Sequence, residues 1–499
     1  MLGRLRLGSA NALAALGHAA AARRFAAALQ DPAAAQQARL AEIVVANAGS
    51  AFGRAHGFGA IRTPADFQRS VPPADYDARY PWVERALHGE PGVLTSAPIL
   101  MFEKTSGSAG RAKYIPYTAP LRSEFQAATG AWLFDLWRRR PGLRTGSAYW
   151  SVSPAAREPE TTPGGHPVGF ADDTEYFDPV TRWVLRQILA VPGDVARVAD
   201  MTEVRRITID RLVASRDLAL ISVWNPSFLT LLVDAIEARS GRFDASALWP
   251  RLDLISCWTD ASAALFVEAV RERFPGVAIQ GKGLLSTEGV VSIPLWGHPG
   301  AALALTSHFL EFEAPGAERP FLAHELEPGE RYAVLLTTGG GLYRYATRDL
   351  VEVVGRVART PLVRFAGKVD LVSDLCGEKI SALHVEAVLA ALLGPGTRFA
   401  LLAPEVGAPP HYVLYFEGPA PPDSGALDAR LRENPHYAYC RELGQLGAAR
   451  VAPVLDGECK YLAGCEALGQ KPGNVKPAAL HRDSGWKIRF GLADSGNVS

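Results

Sequence analysis

The chain has 499 residues with 48% hydrophobic and 21% charged side chains, enough for two or three domains with sizeable cores. Lys+Arg and Asp+Glu balance at 52 each, which argues against nucleic acid as a partner, since such binders carry a basic excess. Five cysteines (Cys257, Cys376, Cys440, Cys459, Cys465) form no C-x-x-C pair, the usage of a reduced cytoplasmic protein without structural zinc.

The basic start Met1 to Arg6 leads into an Ala-rich stretch broken by His18, Arg23 and Arg24, with no signal-peptide core and no apolar run able to span a bilayer. Residues 10–50 have helical spacing, and Thr63-Pro64 marks a helix start with Thr63 as cap. Residues 95–102 are apolar and β-prone, and residues 116–140 again show helical spacing. Leu218–Val223, Leu252–Ser256 and Val277–Gln280 are short apolar runs separated by helical segments at 226–238 and 261–274, the pattern of a buried parallel sheet covered by helices. Residues 331–354, around Gly339-Gly340-Gly341, turn β-rich and predict antiparallel strands. A smaller α+β unit begins near Gly367, with strands at 369–373, 399–403, 412–416 and 451–455 and a helix at 381–393. Pro-rich loops at 404–410 and 419–422 lie inside it, and residues 491–499 read as a frayed tail.

Four segments carry chemistry. Thr105-Ser106-Gly107-Ser108-Ala109-Gly110 runs on to Lys113, and its glycines let successive N–H groups point into one concavity that binds anions. It is not a Walker loop, and such a loop in isolation is more often an ordinary turn. Ser286-Thr287-Glu288-Gly289 follows the third apolar run, at the strand end where open α/β sheets bind ligands, and Glu288 suits Mg²⁺. Tyr343 to Asp349 places a carboxylate able to accept ribose hydroxyls, or a salt bridge to Arg344 or Arg348. Arg364 to Asp370, with Gly367 and Lys368, then Gly377 to Ile380, suits a hinge; Gly469 to Pro477 carries Lys471 and Lys476. No H-E-x-x-H, G-x-S-x-G or strand-linked G-x-G-x-x-G appears.

In this order the segments resemble the adenylate-forming superfamily, and their wording resembles the Gretchen Hagen family of acyl-acid amido synthetases. Phe102 to Gly110 with Lys113-Tyr114-Ile115-Pro116, Ser286 to Gly289, Tyr343-Arg344-Tyr345, and upstream His56-Gly57-Phe58, Asp66-Phe67, Val71-Pro72 and Tyr76-Asp77 carry the resemblance. It implies a large N-terminal adenylating domain (1–366) with mostly parallel sheets covered by helices, a mobile lid (367–490) and a tail (491–499). It implies ATP and Mg²⁺, with Thr105, Ser106, Gly107, Ser108, Gly110 and Lys113 on phosphate, Thr259, Asp260 and Ala261 at adenine, and Asp349 at ribose. Ser286, Thr287, Tyr345, Arg364 and Lys368 complete the nucleotide site, Glu288 faces the metal, and Lys476 or Lys471 is the lid lysine. The implied reaction joins a small carboxylic acid to an amine, an amino acid for preference, in a cytoplasmic monomer. Coenzyme A or a carrier thiol as acceptor, and a non-catalytic nucleotide binder, stand as alternatives. Phe125, Trp132 and Trp224 are the acyl-pocket candidates. Two departures stand out: Arg348 replaces the glycine common before the aspartate, and the helix after Pro116 lacks arginine between Arg122 and Arg138, which points to a more apolar acid pocket.

Overall fold

The computed structural model describes residues 2–105, 113–151, 160–169, 179–198, 200–224, 226–260, 263–369, 372–468, 470, 475 and 478–492. They divide into two units. The first holds Met1–Trp224, Leu232–Trp258 and Gly276–Phe365, and the second holds Asn225–Leu231, Thr259–Pro275 and Ala366–Ser499. No helix among the described residues is long and apolar enough to cross a membrane.

In the first unit the strands Ile99–Thr105 and Lys113–Thr118 form an antiparallel hairpin with Thr105 opposite Lys113. The helical spacing over 116–140 therefore begins too early. Residues up to Thr118 are held in the hairpin, and Thr118 caps the helix Ala119–Arg139 by accepting the Leu121 N–H. Pro120 fits that first turn because its missing N–H is not needed there.

The parallel sheet has four strands, Ser147–Trp150, Leu218–Ser222, Leu254–Cys257 and Ala278–Gly281, in that spatial order. Its two central strands are buried at every residue, which is why they read as continuous apolar runs rather than alternating ones. A larger sheet of seven strands contains Arg331–Thr337 and Tyr345–Val357, paired antiparallel as their turn signals predict. The first unit is thus mixed: a parallel sheet in mid-chain, with more of its strands in antiparallel sheet.

Helix Ala119–Arg139 presents Leu121, Phe125, Ala128, Trp132 and Leu136 to one core, together with Leu220, Leu254 and Ile293. A second core is aromatic: Tyr343 stacks on Phe52 at 4.7 Å and meets Phe58 edge-on at 5.0 Å. Each fully buried ring of this kind contributes roughly 2–3 kcal/mol.

One buried carboxylate joins these parts. Glu124, 4% exposed on helix Ala119–Arg139, accepts the Gly339 N–H at 2.8 Å and bonds to Arg39. Its other oxygen lies 2.9 Å from His308 Nδ1. Gly339 admits no side chain, since a Cβ would lie 2.3 Å from Glu124 Oε1. Gly341 has φ +102° and backs onto Leu94. The three glycines let the chain fold tightly against the helix before it re-enters the sheet at Tyr345.

In the second unit Phe399–Glu405, His411–Glu417 and Arg450–Pro453 form a mixed sheet. Pro404 lies in its first strand, opposite Tyr412, so the expected Pro-rich loop starts later. Of the strand expected over 369–373 only Val372–Ser373 is described as strand, and it pairs with Ile380–Ser381. Between them, fully buried Glu378 accepts the N–H groups of Leu375 and Cys376 and the Tyr412 hydroxyl at 2.7, 2.8 and 2.5 Å. Burial is the largest single influence on its carboxyl and acts upward, but these bonds together outweigh it and hold the group below the usual range. None of the five cysteines forms a disulfide.

Glu124→Ala should cost about 3 kcal/mol or more, because it leaves the Gly339 N–H without an acceptor and takes from Arg39 its buried partner, leaving only the exposed Glu42. Urea denaturation measures this; a loss below about 1 kcal/mol would mean the cluster does not hold the fold.

Candidate active site

Lys113 stands at the foot of the hairpin. Its Nζ donates to the Tyr345 hydroxyl at 3.2 Å and lies 5.8 and 5.9 Å from the ring centres of Tyr76 and Tyr345. Tyr76 is fixed in turn by the Tyr114 N–H, 2.7 Å from its hydroxyl. Residues Ser106, Gly107, Ser108 and Gly110 lie outside the described residues, and of Thr105 only the strand position is described.

Glu288 sits at the tip of a tight turn. Leu285 and Val290 bridge antiparallel, the Ser286 N–H donates to Gly289 O at 2.9 Å, and Thr287 and Glu288 occupy the middle. A Cβ on Gly289 would lie 2.8 Å from both His308 Nε2 and a Leu336 methyl, so this turn is pressed onto the Glu124 cluster. Sequence order alone places Glu288 after a strand; the packing on His308 sets its position.

Tyr345 shows what these segments share. Burial holds its hydroxyl far above the ordinary range, and the nearby charges of Glu288, Asp349 and Asp75 act in the same direction. Tyr345 therefore remains protonated, with Lys113 on one side and carboxylates around it. Asp349, 7% exposed, lies at an irregularity where Ala333–Leu335 faces the longer span Ala346–Leu350. Such a bulge re-aims side chains.

Arg348 and Arg344 both have positive φ, +63° and +47°, a region that favours glycine. Arg348 donates to Asp75 at 2.6 Å. Asp75 caps helix Tyr76–Leu87, and its carboxyl is held below the usual range by the Ala78 N–H first, then by Arg348 and Lys113. Arg344 is buried against Glu311 at 2.9 Å and donates to Val71 O at 2.6 Å.

Thr259 and Asp260 follow strand Leu254–Cys257 in the chain and belong to the second unit; Ala261 is outside the described residues. Arg364 is exposed, with a 3.3 Å bond to Pro299 O, and Lys368 is exposed at its strand's end in the second unit. Lys471 and Lys476 lie outside the described residues.

The three acyl-pocket candidates separate. Phe125 is a core residue against Tyr117 and His308. Trp132 and Trp224 instead flank Lys282, whose Nζ lies 5.3 and 5.1 Å from their ring centres and donates to Ser222 Oγ at 2.8 Å. Burial pushes the Lys282 ammonium down to about 8. Sequence reading passed over this lysine, although its place directly after an apolar strand, in Gln280-Gly281-Lys282-Gly283, is a usable signal. Trp150 packs edge-on against Trp132 and lines a cavity of about 360 Å³ with Ala14, Leu133, Ile188 and Leu220.

This fold, a parallel sheet and a larger antiparallel sheet, is shared with solved enzymes that form acyl-adenylates. The structure superposes on GH3.15 acyl acid amido synthetase with a TM-score of 0.79 at 17% identity, covering 96% of each chain. It superposes less closely, at 0.55 and 14% identity, on 2-hydroxyisobutyryl-CoA ligase in the postadenylation state, covering 92% of this chain and 90% of that one. Residues 21–243 match the GH3 family N-terminal domain and residues 301–368 the GH3 family central domain, together more than half of the chain. The protein belongs to the GH3 family, the Gretchen Hagen family that its motifs resemble. Among curated relatives, indole-3-acetic acid-amido synthetase GH3.10 of Arabidopsis thaliana is 24% identical over 482 residues, 78% of this chain and 81% of that one.

The Lys282 environment makes a pH prediction. Its folded pKa, about 8, is below the usual lysine value of 10.5, so between these values the unfolded chain binds the extra proton and stability from this group rises with pH. Wild type should therefore gain stability relative to Lys282→Met as pH is raised from 8 to 10 in parallel urea titrations. A difference that stays flat would place the ammonium in bulk-like solvent.

Proposed function

We propose that the chain is an ATP-dependent acyl-acid amido synthetase that activates a small carboxylic acid as its acyl-adenylate, releases pyrophosphate and passes the acyl group to an amine, an amino acid for preference. The observation that carries this reading is the gathering of Lys113, Glu288, Asp349 and Asp75 around Tyr345. Family membership and the likeness to GH3.15 support it.

The donor set fits the groups this chemistry uses. Glu288 and Asp349, whose charges both act on the Tyr345 hydroxyl, are carboxylates of the kind that suits Mg²⁺, a hard cation that binds oxygen. Glu288 would hold the ion, which when bound supplies neutralising charge to the phosphates. Lys113, oriented by Tyr345, offers its remaining N–H groups to phosphate oxygen at the hairpin foot. Asp349, aimed by the bulge, would accept the ribose hydroxyls. The acid's carboxylate oxygen attacks the α-phosphorus and the bond to pyrophosphate breaks. The amine then attacks the acyl carbon, loses a proton and expels AMP. The first step brings like charges together and the second exposes a reactive acyl-phosphate anhydride, so fixed donors and exclusion of water matter in each. Lys476 is the preferred lid lysine for the first step, with Lys471 the other candidate. Five cysteines without a disulfide suit a reducing, cytoplasmic setting.

A thiol acceptor is the second reading, favoured by the fold likeness to a CoA ligase. Comparing AMP formation with an amino-acid pool against coenzyme A decides between them.

Glu288→Gln should lower acid-dependent pyrophosphate release by about tenfold or more, since one charge-stabilising contact contributes a few kcal/mol. Undiminished release would remove Glu288 from the site. Lys476→Ala should slow adenylation more than Lys471→Ala, and the reverse ranking would transfer the role to Lys471.

A further inference from the structure

Lys282 is a half-buried cation that bonds to Ser222 Oγ at 2.8 Å and Ser256 Oγ at 3.5 Å and lies against two indoles, with the Cys257 thiol the one titratable group that acts on it. No carboxylate lies within ion-pair distance of it among the described residues, whereas Arg39, Lys104, Arg140, Arg344 and Arg348 each have one. Burying an ammonium without a counter-charge is costly, and proteins rarely keep one unless a partner arrives from outside.

A second donor stands beside it. Gln280 is 7% exposed, and its Oε1 accepts the Trp132 indole N–H at 3.0 Å. An indole only donates, so this bond fixes the amide's orientation and turns Nε2 away as the donor. That Nε2 is buried without a partner. Residues 280 and 282 are two apart along extended chain, and both side chains touch Trp132, so the ammonium and the amide share one face. They stand at the C-terminal ends of parallel strands, where open α/β sheets take ligands.

We propose that Lys282, with Gln280 Nε2, binds the carboxylate of the acyl substrate, and that the Trp132 and Trp224 faces select an acid with a flat aromatic body. This names the acid end of the reaction proposed above and rests on that reading for its place in the reaction. The walls supply the class: two indoles face the ammonium, and Trp150 extends the aromatic surface behind Trp132. Flat rings pack offset or edge-on against such surfaces, while the ammonium and amide satisfy the carboxylate oxygens.

The test is calorimetric binding of benzoate, phenylacetate and cinnamate, and of their primary amides, to the full chain with and without a non-hydrolysable ATP analogue. At least one acid should bind wild type about tenfold or more tightly than its amide, the scale expected for a desolvated charge contact. Lys282→Met should lose that preference while amide and ATP-analogue affinities stay within about threefold, and Lys282→Arg should keep most of it. Circular dichroism checks that Lys282→Met folds, and Lys282→Gln replaces it otherwise. The proposal is overturned if Lys282→Met binds the acids as wild type does, if the amides bind wild type as well as the acids, or if none of the acids binds. Binding through Lys282 without pyrophosphate release from any acid would sink the ligase reading and leave this one. Adenylation with an unchanged KM for the acid in Lys282→Met would do the opposite.

Discussion

The first unit depends on the buried carboxylate of Glu124. Three segments distant in sequence converge on it: Arg39 from helix Pro32–Asn47, His308 ahead of strand Phe309–Glu313, and the Gly339 N–H at the turn leading to Tyr345. Gln36, one helical turn before Arg39, adds bonds to the carbonyls of Leu305 and His308 and to the Leu310 N–H. A buried carboxylate accepts several donors at once, which an apolar residue of the same size cannot do at a point where a turn's N–H group must be met. Gly289 resting on His308 connects the Glu288 turn to the same cluster. The strand bearing Tyr345 and Asp349, the turn bearing Glu288 and the helix following Lys113 are therefore positioned from one anchor.

That anchor was invisible to sequence reading because nothing local marks it. Glu124 lies in a segment of helical spacing, where a glutamate is ordinarily solvated, and its partners are 85, 184 and 215 positions away. What was legible has local causes. The buried strands declared themselves by apolar runs, the helix start at Pro64 by its Thr-Pro pair, and the antiparallel pair by its glycines. Motif order identified the family because the order and spacing of the motifs together are specific where each alone is weak. The start of the helix at 119 instead of 116 was misread because alternating and helical patterns overlap in Tyr114-Ile115-Pro116-Tyr117.

Arg348 shows how a departure from the family's usual residue is accommodated. Its φ of +63° explains why glycine is common there, and a non-glycine residue in this region costs roughly 1–2 kcal/mol. Its ion pair with Asp75, about half-exposed, contributes at most about 1 kcal/mol, so it offsets only part of that cost. The bulge keeps Asp349 buried beside Tyr345 all the same. The substitution thus changes what borders the carboxylate rather than where it stands. That weakens the case for a non-catalytic homologue, since the backbone geometry that glycine normally permits is retained.

Lys113 and Lys282 divide the proposed chemistry between opposite electrostatic settings. Lys113 stands among carboxylates and a phenol, where a polyanion with its own cation can be accommodated with little change in local charge. Lys282 stands among indoles and hydroxyls, where one negative charge has no competitor. A free triphosphate is poorly matched to the second setting, which has one cation and no oxygen set for a metal, and a lone carboxylate is poorly matched to the first, where like charges repel it. In the proposed reaction the two lysines sort the two anionic substrates before any bond is made. The helix without arginine between Arg122 and Arg138 is consistent with this arrangement, because its Trp132 supplies a wall while the charge comes from the neighbouring strand end.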